Sequence, residues 1–179
     1  MDEPLFLHQE PGPLFTTSES GRLMVRRDLS AETAARQMKH YAQRGWIFPR
    51  AQGEFAKFWA PSDIAAAATL SALVAGGVSD QEIMGFVSAA LYAPQKSGFL
   101  LITHALHGIA NGDYWRFDVH VMVDINTGIR RIFPVCYDAD RHTPSVNGNF
   151  FAITTHTVNF TPLLLAIVAK IKTGSKLDA

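Results

Sequence analysis

Apolar and polar positions along this chain follow two periods, and the change between them falls near residue 97. The stretch AETAARQMKHYAQR (31–44) has no Pro or Gly and sets Ala34, Met38 and Tyr41 at helical spacing, with Ala42 alongside. Those positions make one buried helix face, while Arg36, Lys39, Gln43 and Arg44 project elsewhere. Ser30 suits the N-cap, and Gly45 stands where helices end on a left-handed residue. WIFPR (46–50) and FAKFW (55–59) read as extended pieces joined by the turn AQGE, since Phe48 precedes a proline and is pushed away from helical geometry. Pro61 and Ser62 open an Ala-rich helix, with Ser62 as its cap and Asp63 at the positive end of its dipole, and Gly76-Gly77 stops it. Ser79 to Glu82 reads as a capping box for a further helix. Ile83, Phe86, Val87, Ala90 and Leu91 form its apolar face, and Pro94 ends it. Upstream, residues 1–22 contain Pro4, Pro11, Pro13 and TTSESG, which predicts a loosely ordered arm before a short strand at LMV (23–25).

Beyond residue 97 the period becomes two. FLLIT (99–103) reads as a buried strand. WRFDVHVMVDI (115–125) alternates Trp115, Phe117, Val119, Val121, Val123 and Ile125 with Arg116, Asp118, His120, Met122 and Asp124, which predicts a half-buried strand. NTG turns the chain, and IRRIFPVC returns as a strand that Pro134 restricts to a sheet edge or a bulge. Residues 137–149 read as a loop and FFAITTHTVNF as a strand. Thr161-Pro162 starts a last helix with Leu164, Ile167, Val168 and Ile171 on one face. The expected class is α+β, with an arm at 1–20, a helix–hairpin–helix–helix module at 21–95, and a sheet-plus-helix region at 97–179.

Composition narrows the picture. Hydrophobic residues at 47% supply a core, and charged residues at 18% are too few for a disordered chain. Cys136 is the one cysteine, which excludes an intrachain disulfide and a cysteine-rich metal site and fits a reducing compartment. The first residues carry no basic segment or long apolar run, so no signal peptide is expected, and LLLAIVA is too short to span a bilayer. A cytoplasmic protein without a membrane partner is the expectation.

The zero net charge hides an asymmetry. Residues 21–60 hold eight Lys and Arg (Arg22, Arg26, Arg27, Arg36, Lys39, Arg44, Arg50, Lys57) against three acids (Asp28, Glu32, Glu54), which is 8 − 3 = +5, so the rest of the chain is −5. Concentrated basic charge is the electrostatic footprint of a polyanion partner, although a solvated charged face looks the same in sequence.

Within this basic segment, Tyr41-x3-Gly45 followed by an apolar residue and Pro49 resembles the Tyr-x3-Gly-Leu-x-x-Pro of the MerR family of bacterial transcription regulators. Lys57-Phe58-Trp59 resembles that family's wing, Ser62-Asp63-Ile64 the start of its next helix, and Gly77-Val78-Ser79 with Glu82-Ile83 its Gly-Phe-Ser-x-x-Glu-Ile. The likeness covers roughly residues 38–87. It implies a winged helix, in which a helix meets the DNA groove and a hairpin reaches the adjoining phosphates. By that resemblance Lys39 matches a phosphate-contacting Arg, Tyr41 a tyrosine of the same helix, and Lys57 the wing arginine. Arg36, His40, Arg44 and Arg50 join the candidate DNA-binding residues by charge and placement, and core packing is the competing role for Tyr41 and Trp59. The sequence departs from the family in two places. DLSAETAARQMKH lacks the usual glycine-containing turn, which leaves open whether the helices before Lys39 are fused or rearranged. The chain also breaks at Pro94 where the family continues into a long dimerisation helix.

The second half offers a rival chemistry. Five of the seven histidines (His104, His107, His120, His142, His156) lie between residues 104 and 156, and Asp118 and His120 share a strand face, so a His/Asp metal site is a competing reading. No GxSxG, P-loop, GxGxxG or HExxH is present, and Cys136 near His142 does not by itself make a nucleophile–base pair. The expectation is therefore a non-catalytic, cofactor-free regulator that binds double-stranded DNA as a homodimer, with room for a small-molecule effector. The alternatives are a phage-type accessory protein that binds another protein rather than DNA, and a small metal-dependent enzyme.

Overall fold

The computed structural model describes residues 13–52, 56–95, 98–140 and 150–174. They form six helices and two three-stranded antiparallel sheets, a mixed α+β architecture. No helix among them is long and apolar enough to cross a membrane.

The chain enters through β1 (Phe15–Thr16) and turns into α1 (Thr17–Leu23). This helix takes the place of the last part of the expected arm and of the expected strand at 23–25, while residues 1–12 of the arm lie outside the described residues. Its serines and threonines, read as turn formers, close a capping box: the Thr16 hydroxyl accepts from the Glu19 N–H at 3.3 Å, and the Glu19 carboxylate accepts from the Thr16 N–H at 2.7 Å. After a turn pinned by reciprocal Arg26–Leu29 backbone bonds comes α2 (Ala31–Gln43), capped by Ser30 as expected. The helices before Lys39 are thus two, not fused. Gly21 lets them cross closely, since a Cβ there would stand 2.5 Å from the Ala31 carbonyl oxygen.

α2 ends at Gly45, whose φ of 69° needs a residue without Cβ strain. The Trp46 N–H donates to Tyr41 O at 2.9 Å and the Gly45 N–H to Ala42 O at 3.0 Å, the paired bonds of a Schellman stop. The Tyr41 and Trp46 rings meet across it at 5.9 Å, which gives the Tyr-x3-Gly-aromatic spacing a local physical meaning.

The expected hairpin is present but shifted. WIFPR forms no strand, and β2 (Ala51–Gln52) pairs instead with β3 (Lys57–Trp59). β1 joins β3 on its other side, an addition that a two-residue strand does not announce in sequence. The turn between β2 and β3 lies outside the described residues. Trp59 is fully buried, and its indole N–H donates to the Thr17 hydroxyl at 3.0 Å, so it belongs to the core.

α3 (Pro61–Ala75) is capped at Ala60 rather than Ser62, with Pro61 in the first turn and the Asp63 carboxylate accepting the Ala60 N–H at 3.0 Å. It is buried nearly all round, because α2, the helices at 81–91, 101–110 and 160–174 and the strand at 150–159 all pack on it and small side chains let them approach. α4 (Gln81–Leu91) is capped by Asp80, not Ser79. Its buried face is Ile83, Met84, Val87, Ser88 and Leu91, while Phe86 is exposed. FLLIT is not a strand: α5 (Leu101–Ala110) begins there, because Ile102, Ala105, Leu106 and Ile109 continue the segment at helical spacing.

The second sheet has the order β5–β4–β6, from β4 (Trp115–Asp124), β5 (Arg130–Asp138) and β6 (Phe150–Asn159). Pro134 is on an edge strand, as its missing N–H requires. The loop expected at 137–149 begins only after Asp138, and residues 141–149, His142 among them, lie outside the described residues. Trp115, Phe117, Val119 and Val121 of β4 are buried, and Phe117 stacks on Phe160 of α6 (Phe160–Gly174) at 5.1 Å. Burying a side chain of this size stabilises the fold by about 2 kcal/mol. The face read as polar is less wet than alternation implies, since Asp118 and Met122 are also buried. One apolar interior runs from Met24 and Met38 through α3 to Phe160, Leu164 and Ile167.

Candidate functional site

Four of the seven candidate residues share one surface. At 100° per residue, Arg36, Lys39, His40 and Arg44 fall within an arc of roughly 140° on α2. All four are exposed, and Ala34, Met38 and Tyr41 anchor the opposite side of the helix in the core. The Arg36 guanidinium stands 3.9 Å from Glu32 one turn back, and Arg44 Nη1 donates to Gln81 Oε1 of α4 at 3.0 Å. Arg36, His40 and Arg44 also form one rim of an open groove of about 500 Å³. Tyr41, Trp46, Val74, Val78 and Met84 line its apolar parts.

The other three are placed differently. Tyr41 is buried beneath the basic face, and burial pushes its phenol up to about 12. Arg50 turns inward. Its Nε lies 3.3 Å from Asp63 Oδ2, and Nη2 is 3.3 Å from the Ser62 hydroxyl. Asp63 is fully buried and also accepts from the Tyr92 hydroxyl at 2.8 Å. Desolvation raises the Asp63 carboxyl above its ordinary range, and the Arg50 charge opposes that shift. Burial also raises the Tyr92 phenol, with the Asp63 charge adding to it. Arg50 therefore ties the hairpin entry to the start of α3. Lys57 is half-buried on β3, opposite Gln52. Sequence reasoning missed Gln81 as a neighbour of Arg44, and it left Arg27 unplaced. The α1–α2 turn exposes Arg27, and nothing local in the sequence marks that turn, because the Ser and Thr residues before it read as an arm.

The second half disperses its titratable groups. Asp118 accepts from the Tyr137 hydroxyl and from the Thr157 hydroxyl, each at 2.7 Å. His120 Nδ1 is 2.9 Å from the Thr155 hydroxyl. His104 packs on Trp115 and His107 on Phe99. Burial, and then the Asp118 charge, push the Cys136 thiol well above its ordinary value, which leaves it protonated and a poor nucleophile. Among the described residues, no three His, Cys, Asp or Glu side chains gather as a metal site.

No protein-family model matches the chain, and no curated protein matches it.

Proposed function

We propose that this chain is a DNA-binding regulator in which α1, α2 and the β2–β3 hairpin act as a winged helix. The observation that carries the reading is the α2 solvent face, where Arg36, Lys39, His40 and Arg44 stand together on a helix whose back is locked into the core. Exposed cations on a rigid helix exchange condensed counterions for phosphates, and the close α1–α2 crossing at Gly21 braces that helix. In this reading Lys39 and Arg36 contact backbone phosphates, His40 and Arg44 lie at the groove side, and Lys57 reaches a flanking phosphate from the hairpin. Tyr41 and Arg50 set the geometry from inside. A two-fold dimer would read two half-sites.

The test is duplex binding at two salt concentrations with a library of random sequences. Salt-sensitive binding with an enriched palindrome is the expected result. Replacing Lys39 with Ala should weaken binding to every sequence and lower the salt slope by about 0.9. The protein-binding alternative draws on the groove beside α2, where Trp46 and Val74 offer apolar surface under a basic rim. Absence of duplex binding at low salt would favour that alternative.

A further inference from the structure

The two edges of the second sheet are built differently. β5 is a guarded edge. It carries Arg130, Arg131 and Asp138, its Pro134 has no N–H to offer, and α4 packs against it. Arg130 is held there by Asp80 at 2.9 Å and Glu82 at 3.5 Å. Charges, proline and a covering helix are the usual means of keeping an edge from pairing. β6 carries neither charge nor proline, although α3 packs against part of it. Its ten residues, FFAITTHTVN, include no Asp, Glu, Lys, Arg or Pro. Its outer side pairs with no strand among the described residues, and positions 151–155 are all exposed, with Phe151 at 54% and Ile153 at 58%. β-branched and aromatic side chains fill most of it, the composition that favours strand pairing. One irregularity interrupts it, a register shift opposite Val121 and Met122 near Ile153.

We infer that β6 pairs antiparallel with β6 of a second copy, joining the two sheets into one of six strands. The pattern of charge selects this occupant. β1 and β2, the edges of the other sheet, are two residues long and too short to cover β6, and β5 of another copy laid on it head to tail would propagate an open filament, which Pro134 with the Arg130 and Arg131 side chains bars. Self-pairing about a two-fold axis closes after two copies and places no like charges opposite each other, because β6 has none. The axis stands normal to the sheet, so both helical layers lie on one side of it. α6 leaves β6 directly at Phe160. This interface rests on the dimer part of the reading above and not on the DNA part.

Light scattering on the purified full chain at micromolar concentration, without DNA, should give twice the chain mass. Ile153→Lys should raise the dimer dissociation constant by roughly tenfold or more, because it sets two lysines at the seam. Circular dichroism of that variant should keep the wild-type spectrum. Single cysteines from Phe151→Cys to Thr155→Cys, each made together with Cys136→Ala so that no native thiol remains, provide a readout that does not depend on that variant folding. Oxidation should cross-link the positions nearest the axis, while Arg131→Cys on β5 should stay uncross-linked. A monomeric wild type, a folded Ile153→Lys that stays dimeric, or cross-linking through residue 131 rather than β6 would each overturn the interface. A β6-linked dimer with no duplex affinity would sink the DNA reading alone, and a monomer that binds duplex would sink the interface alone.

Discussion

On the solvent face of α2, three cations and a histidine stand side by side; along the open edge of β6 there is no charged residue. The two halves also satisfy their buried carboxylates differently. Asp63, in the helical half, is matched by a guanidinium, a phenol and a backbone N–H. Asp118, in the sheet, is matched by two hydroxyls. An arginine can hold a buried carboxylate by charge and so fix the hairpin entry onto α3, whereas hydroxyls hold one by hydrogen-bond geometry alone. The basic charge that remains at the surface of the first half suits a polyanion, and the uncharged edge of the second suits a copy of itself.

Several substitutions would break or sharpen this contrast. The largest expected effect is at the ion pair. Arg50→Ala should cost about 3 kcal/mol by stranding a buried carboxylate, measured by urea unfolding. The folded value of the Asp63 carboxyl lies above its unfolded value, so the folded state binds that proton more tightly. The contribution of Asp63 to stability therefore falls as pH rises from the unfolded carboxylate range through its folded value. Loss of Arg50 raises the folded value further, so the deficit of the variant should be greatest at mildly alkaline pH and shrink in mild acid. A deficit independent of pH would show that Arg50 acts by packing alone.

Next comes the helix crossing. Gly21→Ala should destabilise by about 2 kcal/mol, since the new methyl meets backbone at Ala31 and the Ala35 side chain. A neutral result in thermal melts would mean α1 rides more loosely on α2 than the contact implies. For the other carboxylate, Tyr137→Phe should cost about 1.5 kcal/mol by removing one of the hydroxyls on Asp118. If it matched the effect of Arg50→Ala, the contrast between charge and hydroxyl pairing would be lost. Gly85→Ala should act in the opposite direction and stabilise by about 0.8 kcal/mol, because Gly85 sits inside α4 with nothing within 4 Å of the added methyl. Smallest in stability is Lys39→Ala, expected within about 0.5 kcal/mol of wild type. Its effect should appear in duplex affinity and salt slope, which separates a binding cation from the structural Arg50.

The amphipathic α2, its Ser30 cap and its Gly45 stop were legible because their signals lie within one or two helical turns of each other. The alternation of β4 and the edge placement of Pro134 were legible for the same reason. FLLIT misled because a short apolar run has the same content in a strand as in the first turn of a buried helix, and the helical spacing shows only when Ala105, Leu106 and Ile109 further along are read with it. The arm misled because Ser and Thr serve turns and helix caps alike, and what decides is Glu19 reaching back to Thr16.

Charge distribution, helical period and strand alternation are local properties, and from them the sequence by itself determined the α+β class, the basic helix and the order of most elements. The fate of individual side chains depends on residues far along the chain. Whether Arg50 faces solvent or Asp63, and which of the two sheet edges is left open, were decided only by the tertiary structure. Burial and pairing bring together groups such as Phe48 and Tyr92, or Arg130 and Asp80, that no local pattern connects.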